Sequence, residues 1–311
     1  MRVVPPDAHV VDDLVARSLA EDLGVDAAAL LGGASSRLLA SDVTTHALAG
    51  PGAHFRGRVV ARSEGVVCGI ALAVRAWEML ARAAGAGREL RVAAHLGEGE
   101  RVGPGTVVAE VSGPAAVVLG GERTALNLLI VFSGIATAAR LWQDAAGPGL
   151  MVLDTRKTIP GLRAFSKWAV EVGGATAHRA GLWDMVLIKD NHIRMAGGIG
   201  TAVAAARASV PGLAVEVEAD TVEQAEEAAR AGADIVLLDN MAPDELARAV
   251  AAVRAACAES GTRCHTEASG NVTLADLPAV AAAGVDRVST SALTLAQPLD
   301  IGLDEAGEGG D

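Results

Sequence analysis

The sequence predicts an α/β protein in which an incomplete parallel α/β barrel follows a domain that mixes helices and antiparallel strands. Beyond about residue 115, short apolar runs alternate with segments of helical spacing, which is typical of parallel strands joined by right-handed crossovers. Several runs stop abruptly at charged residues, as buried strands do at one edge of a parallel sheet. No glycine-rich dinucleotide fingerprint follows any run, so a barrel is favoured over the alternative, an open doubly wound sheet.

The first third of the chain has the mixed pattern. Apolar spacing predicts a helix at 7–23, followed by a loop that ends at 41–45, and an alanine-rich helix at 69–84. The strands expected in this part are 54–62, 65–68, 90–95 and 106–111. The apolar segment 114–143 is expected to form one or two helices with a break near Ser133-Gly134.

Six strands and five helices are expected in the rest of the chain. The strands are 150–154, 185–189, 214–218, 234–238, 263–267 and 286–290. The helices are 160–173, 196–209, 221–231, 243–259 and 273–283. We expect an N-terminal domain at 1–115, a barrel at 116–290, and a C-terminal segment at 291–311 that returns to the N-terminal domain and ends in a frayed, acidic tail.

Composition excludes several classes of function. The chain has 311 residues, 51% of them hydrophobic, so it is long enough to bury a large core. Its net charge of -12 argues against binding nucleic acid or a membrane surface. Three cysteines without metal-ligand spacing, and the lack of a signal peptide or an uninterrupted membrane-spanning run, predict a cytoplasmic protein.

The lysines mark one stretch of the chain. All three, Lys157, Lys167 and Lys189, fall between residues 150 and 193, although the chain otherwise uses arginine as its cation. A lysine that persists under such a bias indicates a place where a compact point charge cannot be exchanged for a guanidinium.

Polar side chains gather where the predicted strands end. Cations there would bind an anionic substrate, and carboxylates would hold a divalent metal or a sugar. The segment 268–271 is expected to begin a helix, where free N–H groups bind phosphate. Each of these residues also has a purely structural interpretation. Arg156 could pair with nearby acids, His178 could pack and form a hydrogen bond, and Glu218 and Asp239 could cap the ends of their strands.

Several motifs together carry a family resemblance. They are GERTALNLLIVFSGIAT at 121–137, LDTRKTIPGLRA at 153–164, HRAGLWDMVLIKDNHI at 178–193, VEVEAD at 215–220, VLLDN at 236–240 and EASG at 267–270. In this order they resemble the quinolinate phosphoribosyltransferases, or carboxylating nicotinate-nucleotide pyrophosphorylases, and the resemblance runs from about residue 14 to 304.

The resemblance implies a pentosyltransferase of NAD biosynthesis with an N-terminal α/β sandwich domain beside the incomplete barrel. It implies transfer of the phosphoribosyl group of phosphoribosyl pyrophosphate (PRPP) to quinolinate with Mg²⁺, which gives nicotinate mononucleotide, pyrophosphate and CO₂. The partners implied are these two small molecules and a second copy of the chain, in a homodimer or a higher oligomer. Neither a nucleic acid nor a membrane is implied.

The resemblance also implies roles for particular residues. The carboxylates of quinolinate would bind Arg156, His178, Arg179 and Lys189, together with Arg123 from the neighbouring subunit. Lys157 would face PRPP, and Glu218 and Asp239 would serve catalysis and hold Mg²⁺. The phosphate turns would use Ser269, Gly270 and Ser291.

This sequence departs from the family pattern at 173–177 and at 291–296, where Ser291 and Leu295 replace the usual Gly and His. Three rival functions therefore stay open. One is a paralogue that uses another aromatic acid or another donor. The second is a Schiff-base aldolase or lyase that uses Lys157 or Lys189. The third is a homologue that binds quinolinate without catalysis.

Overall fold

The chain divides into two compact units. The computed structural model describes residues 4–32, 38–50 and 52–306. One unit comprises 1–137 with 296–311, and the other comprises 138–295. This division falls within a long helix, whereas the sequence placed a boundary at 115. The first part of that helix belongs to the N-terminal unit, where Trp77 Nε1 donates a hydrogen bond to the carbonyl of Val118 at 3.0 Å.

The elements follow one another along the described chain. The first half contains α1 (Ala8–Leu23), α2 (Ala27–Gly32), α3 (Val43–Leu48), β1 (His54–Ala61), β2 (Gly65–Val66), α4 (Ile70–Ala83), β3 (Arg91–Ala94), β4 (Arg101–Val102), β5 (Val107–Pro114) and α5 (Ala115–Ala146). The second half contains β6 (Met151–Leu153), α6 (Arg163–Val172), β7 (Val186–Ile188), α7 (Asp190–Ala196), α8 (Ile199–Ser209), β8 (Val215–Ala219), α9 (Val222–Arg230), β9 (Ile235–Asp239), α10 (Pro243–Ser260), β10 (His265–Ser269), α11 (Leu277–Ala282), β11 (Arg287–Ser289) and β12 (Ile301–Glu305). Short 3₁₀ helices lie at Leu38–Ser41 and Leu274–Asp276.

The N-terminal unit is an α/β sandwich. Its antiparallel sheet has the order β12-β1-β5-β3, and β2 pairs with β4 in a second, two-stranded sheet. Helices α1 and α4 are joined by an ion pair between Asp12 and Arg75 at 2.6 Å. The segment 24–45, expected to be a loop, contains α2 and the start of α3. Helix α3 begins there because the Asp42 side chain accepts a hydrogen bond from the Thr45 N–H group.

Helix α5 runs without a break for 32 residues, so the predicted break near Ser133-Gly134 is wrong. Both residues serve close packing instead. The Ser133 hydroxyl bonds to the backbone N–H and carbonyl of Cys68, and a Cβ at Gly134 would lie 2.2 Å from the carbonyl oxygen of Gln297. The helix is long and apolar enough to cross a membrane, but 61% of its most apolar window is buried in the protein, as is common for core helices.

The second unit is an incomplete parallel α/β barrel, as predicted. Its six strands are all parallel, in the order β6-β11-β10-β9-β8-β7. Leu153, the last residue of the edge strand β6, forms a single parallel bridge with Thr176. The helix expected at 196–209 is α8, and the preceding helix α7 was not predicted; Gly197 and Gly198, with φ values of 82° and 142°, separate the two helices.

Alternation along the strands determines which side chains reach the barrel interior. On β8, Val215, Val217 and Ala219 are buried on one face, so Glu216 and Glu218 share the other. The same period places Glu267 with Ser269 on β10. In each pair the first residue lies deeper and the second lies nearer the carboxyl end of its strand.

Candidate active site

A pocket of about 400 Å³ opens at the carboxyl ends of the barrel strands. Nine of the eleven predicted site residues line it: Arg156, Lys157, His178, Arg179, Lys189, Glu218, Asp239, Ser269 and Gly270. It is also lined by residues to which the sequence assigned no role, namely Asp154, Thr155, Leu187, Leu237, Asn240, Asn271 and Ser289. The strand ends therefore converge, as expected of a parallel barrel.

The other two predicted residues lie elsewhere. Arg123 belongs to the N-terminal unit, where it lines a separate cavity of about 340 Å³, and its side chain is 60% exposed. Ser291 follows β11, and its carbonyl accepts a hydrogen bond from the Thr294 hydroxyl at 3.4 Å. A larger cavity of about 660 Å³ in the N-terminal unit, beside Arg75 and Arg82, contains none of the predicted site residues.

Two neighbouring arginines, Arg156 and Arg179, line the pocket. Arg156 has a buried Nε atom without a hydrogen-bond partner among the described residues. Burial and the positive charge of Arg156 both lower the pKa of Arg179. Arg179 donates from Nη1 to the carbonyl of Met185 at 3.3 Å. Two guanidinium groups this close favour a ligand with more than one negative charge.

Carboxylates line the same pocket. Glu218 forms a direct ion pair with Lys189. Asp239, on the neighbouring strand, accepts a hydrogen bond from Asn240 Nδ2 at 2.7 Å, and Asn240 accepts one from Asn271 Nδ2 at 2.9 Å. Two carboxylates on adjacent strands supply the hard oxygen ligands that Mg²⁺ prefers, so Glu218 and Asp239 fit a magnesium site or the hydroxyl groups of a sugar.

Backbone hydrogen bonds fix the position of Lys157, and backbone conformation fixes the turn after β10. The Lys157 N–H group donates to the Thr155 hydroxyl at 3.0 Å, and the Thr294 hydroxyl donates to the Lys157 carbonyl at 2.7 Å. Gly270 has a φ of 88°, and a Cβ there would lie 2.4 Å from Asn240 Oδ1, so the turn requires glycine. The helix expected directly after this turn begins only at Leu274, which corrects the predicted helix start at 268–271.

A buried ion pair lies at the wall of the pocket. Asp154 accepts hydrogen bonds from Lys167 Nζ and from the His178 N–H group, both at 2.7 Å, and Lys167 also donates to the His178 carbonyl at 2.9 Å. The pair therefore holds the backbone of His178 from both sides. Lys167 is the third of the rare lysines, and it acts here as a compact buried charge.

The His178 side chain points into the barrel interior. Its Nε2 atom lies 3.2 Å from Glu216 Oε2 and 3.4 Å from Glu267 Oε1, and both carboxylates are fully buried. Burial lowers the pKa of His178, but the two carboxylates more than offset this and raise that pKa to about 9. The three groups together thus hold an additional proton at pH 7. Nδ1 accepts a hydrogen bond from the Arg179 N–H group at 2.8 Å, so this proton belongs between Nε2 and the carboxylates.

No role was expected for Glu216 and Glu267, which fall within the predicted strands 214–218 and 263–267. The period-two alternation already placed Glu216 behind Glu218 and Glu267 behind Ser269. It did not say that both would meet His178, because His178 lies outside the predicted strands. Leu187 and Leu237 were also missed, and they supply an apolar wall suited to a flat ring.

Comparisons with known proteins identify the family and the fold of the chain. The C-terminal domain profile of quinolinate phosphoribosyl transferase matches residues 135–304, and the N-terminal domain profile matches 42–133. The chain is 40% identical over 308 residues to a Synechocystis protein named "Probable nicotinate-nucleotide pyrophosphorylase [carboxylating]", covering 97% of this chain and 95% of that one. It is 45% identical over 213 residues to human nicotinate-nucleotide pyrophosphorylase [carboxylating], covering 67% and 70%. Its fold is similar to that of NadC from Streptococcus pyogenes, with a TM-score of 0.83, 31% identity, and coverage of 98% and 100%.

Proposed function

Because the chain belongs to the quinolinate phosphoribosyltransferase family, we propose that its barrel pocket joins quinolinate to the ribose of PRPP. The enzyme is a carboxylating nicotinate-nucleotide pyrophosphorylase of NAD biosynthesis. The observation that carries the assignment of this pocket is the convergence there of nine family-motif residues, which include both cations and carboxylates.

The acceptor half of the pocket is suited to a planar diacid. Arg156, Arg179 and Lys189 provide three positive charges for the two carboxylates of quinolinate. Leu187 and Leu237 contact the faces of the pyridine ring. This arrangement leaves the ring nitrogen free to attack, because no positive group is needed at that atom.

The donor half is suited to phosphorylated ribose. Glu218 and Asp239 hold the ribose hydroxyls and, with PRPP, Mg²⁺. The turn at Ser269 and Gly270 binds the 5′-phosphate, and Lys157 stabilises the pyrophosphate. Mg²⁺, when bound, supplies positive charge that stabilises the departing pyrophosphate.

The reaction then follows from the charges. The quinolinate nitrogen forms a bond to the anomeric carbon while the bond to pyrophosphate breaks. Positive charge develops on the ribose beside Glu218 and Asp239, and negative charge leaves beside Lys157. The quaternised ring nitrogen draws electrons from the 2-carboxylate bond, CO₂ departs, and a solvent proton takes its place, so no dedicated base is required.

We propose further that the enzyme is a cytoplasmic homodimer in which Arg123 reaches the pocket of the neighbouring subunit, with Ser291 at a second phosphate contact. The exposure of the Arg123 side chain supports this role. The three free cysteines are compatible with a reducing compartment.

The decisive experiment measures nicotinate mononucleotide by mass after incubation with quinolinate, PRPP and Mg²⁺. The wild type should form it, and Arg179→Ala should abolish both turnover and quinolinate binding by calorimetry. Arg194→Ala is the matched control, because Arg194 is exposed and pairs with Asp190 outside the pocket. Binding without turnover would favour the non-catalytic homologue. Turnover of another aromatic acid in preference to quinolinate would favour the paralogue, and borohydride trapping of a carbonyl substrate would favour the Schiff-base lyase.

A further inference from the structure

Two glutamates beneath the pocket are buried at a cost that the reaction does not explain. Glu216 and Glu267 are both 0% exposed, and their four carboxylate oxygens lack a regular hydrogen-bond partner among the described residues. Burying carboxylates without such partners is unfavourable. Unsatisfied buried polar groups are rare in native proteins, so the presence of these two carboxylates calls for an explanation.

The ring of His178 lies close to both carboxylates. Its Nε2 atom faces one oxygen of each glutamate at 3.2 and 3.4 Å, and neither contact has the geometry of a full hydrogen bond. This is the arrangement expected when one N–H group is shared between two oxygens. The ring cannot turn away without leaving both carboxylates unpaired.

The same three side chains resemble a metal site, because their ligand atoms lie within 4.8 Å of one another. The hydrogen bond at the other ring nitrogen decides against that reading. The Arg179 N–H group donates to Nδ1 at 2.8 Å, so Nδ1 carries the lone pair and Nε2 carries the proton. A protonated Nε2 has no lone pair for a metal ion.

We propose that Glu216 and Glu267 are positioning residues for the acceptor half of the pocket. They fix the His178 ring from below, and the ring in turn holds the Arg179 backbone through Nδ1, so that the Arg179 guanidinium faces the diacid. Asp154 and Lys167 hold the His178 backbone independently, so the carboxylate pair acts on the ring alone. Naming quinolinate as the diacid rests on the proposed function.

Positioning and structural roles lead to opposite expectations for stability. Glu216→Leu removes one of the two buried carboxylates and leaves Glu267 beside His178, so no buried charge loses its last partner, and the loss of stability expected of a broken buried pair does not follow. Glu216→Leu should therefore keep the melting temperature of the parent while quinolinate binding weakens by roughly tenfold or more. Glu216→Gln retains an acceptor for the Nε2 proton and should stay within about threefold of the parent.

Two carboxylates at the opposite edge of the same sheet provide matched controls. Asp234 accepts a hydrogen bond from the Val215 N–H group at the start of β8, and Asp286 accepts one from the Thr266 N–H group on β10, both at 2.7 Å. Asp234→Asn and Asp286→Asn should lower the melting temperature and leave the quinolinate dissociation constant within about twofold of the parent, because these carboxylates support the strands and not the ring.

The experiment combines calorimetry of quinolinate binding, thermal unfolding, and ¹⁵N NMR of histidine-labelled enzyme, with the His178 signal assigned through His178→Asn. Weak binding by a stable Glu216→Leu, together with a protonated Nε2 and an unprotonated Nδ1 in the parent, is the expected result. Normal binding by Glu216→Leu, or a proton on Nδ1 of the parent with Nε2 bare, would overturn the proposal. If the parent itself does not bind quinolinate, the proposed function fails, and the ring tautomer still tests the positioning of His178.

Discussion

The buried pair of Asp154 and Lys167 leads to a prediction about stability that can be worked out from its contacts. Asp154 has 0% and Lys167 8% of its side-chain surface exposed, with 2.7 Å between carboxylate and ammonium. Burial is the largest influence on both groups: it raises the pKa of Asp154 and lowers the pKa of Lys167, although each partner opposes the shift. Burial therefore disfavours both charged forms more than their attraction favours them.

Single and double substitutions should consequently differ sharply. Asp154→Leu leaves a buried ammonium without its carboxylate, and Lys167→Met leaves the reverse, so each should lower the free energy of unfolding by about 3–5 kcal/mol. The double variant removes both charges. It leaves the His178 N–H group without its acceptor, which costs about 1–3 kcal/mol. We therefore expect the double variant to be more stable than either single variant.

Urea unfolding of the four proteins measures this directly, with the slope checked for two-state behaviour. Calorimetry with quinolinate should show that the double variant regains stability without regaining affinity, because the backbone of His178 stays unanchored. A double variant that loses the sum of both single effects would refute the reasoning, since the pair would then contribute no coupling.

Three further predictions concern pH, packing and the donor site. The pKa of about 9 at His178, against an ordinary 6.5, belongs to the proton that this ring shares with Glu216 and Glu267, so the stability that this proton supplies is complete below pH 6.5 and is lost as pH rises through 9. Unfolding free energy should fall by up to about 3 kcal/mol over that window, and by clearly less in His178→Asn. Gly134→Ala should cost about 1–3 kcal/mol in thermal unfolding, whereas Gly120→Ala in the same helix, with ordinary contact at 3.6 Å, should gain up to about 1 kcal/mol. Asp239→Asn should weaken binding of PRPP with Mg²⁺ by roughly tenfold or more and spare quinolinate alone, and equal losses for both ligands by calorimetry would contradict its place on the donor side.

The barrel strands were predictable because each signal was local. All six were located within two residues of their observed bounds, since an apolar run that ends in charge needs no knowledge of its neighbours. Helix α5 was predicted wrongly at Ser133-Gly134 for the opposite reason. A serine and a glycine indicate a break when read locally, but here their small size is required by Cys68 and by the chain at Gln297, which is distant in sequence.

The site residues show the same contrast between local signals and contacts that depend on distant parts of the chain. Strand ends identified Lys189, Glu218 and Asp239, because the carboxyl edge of a parallel sheet is a place that the sequence can locate. The pairing of Glu216 with Glu267 depends on β8 and β10 lying on either side of β9 and on a histidine from outside the sheet. Register and loop path determine that contact, and neither can be read from the residues themselves.

The rarity of lysine in this chain indicated the residues at and behind the pocket better than residue type alone. Only three of the 26 basic residues are lysines, and the structure puts Lys157 and Lys189 in the pocket wall and Lys167 directly behind it. Such a bias exposes residues whose chemistry cannot be exchanged. The composition gives no such indication for Glu216 and Glu267. They are two of 38 acidic residues, and composition does not distinguish them from acidic residues on the surface. Only their burial distinguishes them. Burying two glutamates at 0% exposure around one imidazole is unfavourable for folding. The chain nevertheless retains them at the place where the ring that they hold adjoins the acceptor site.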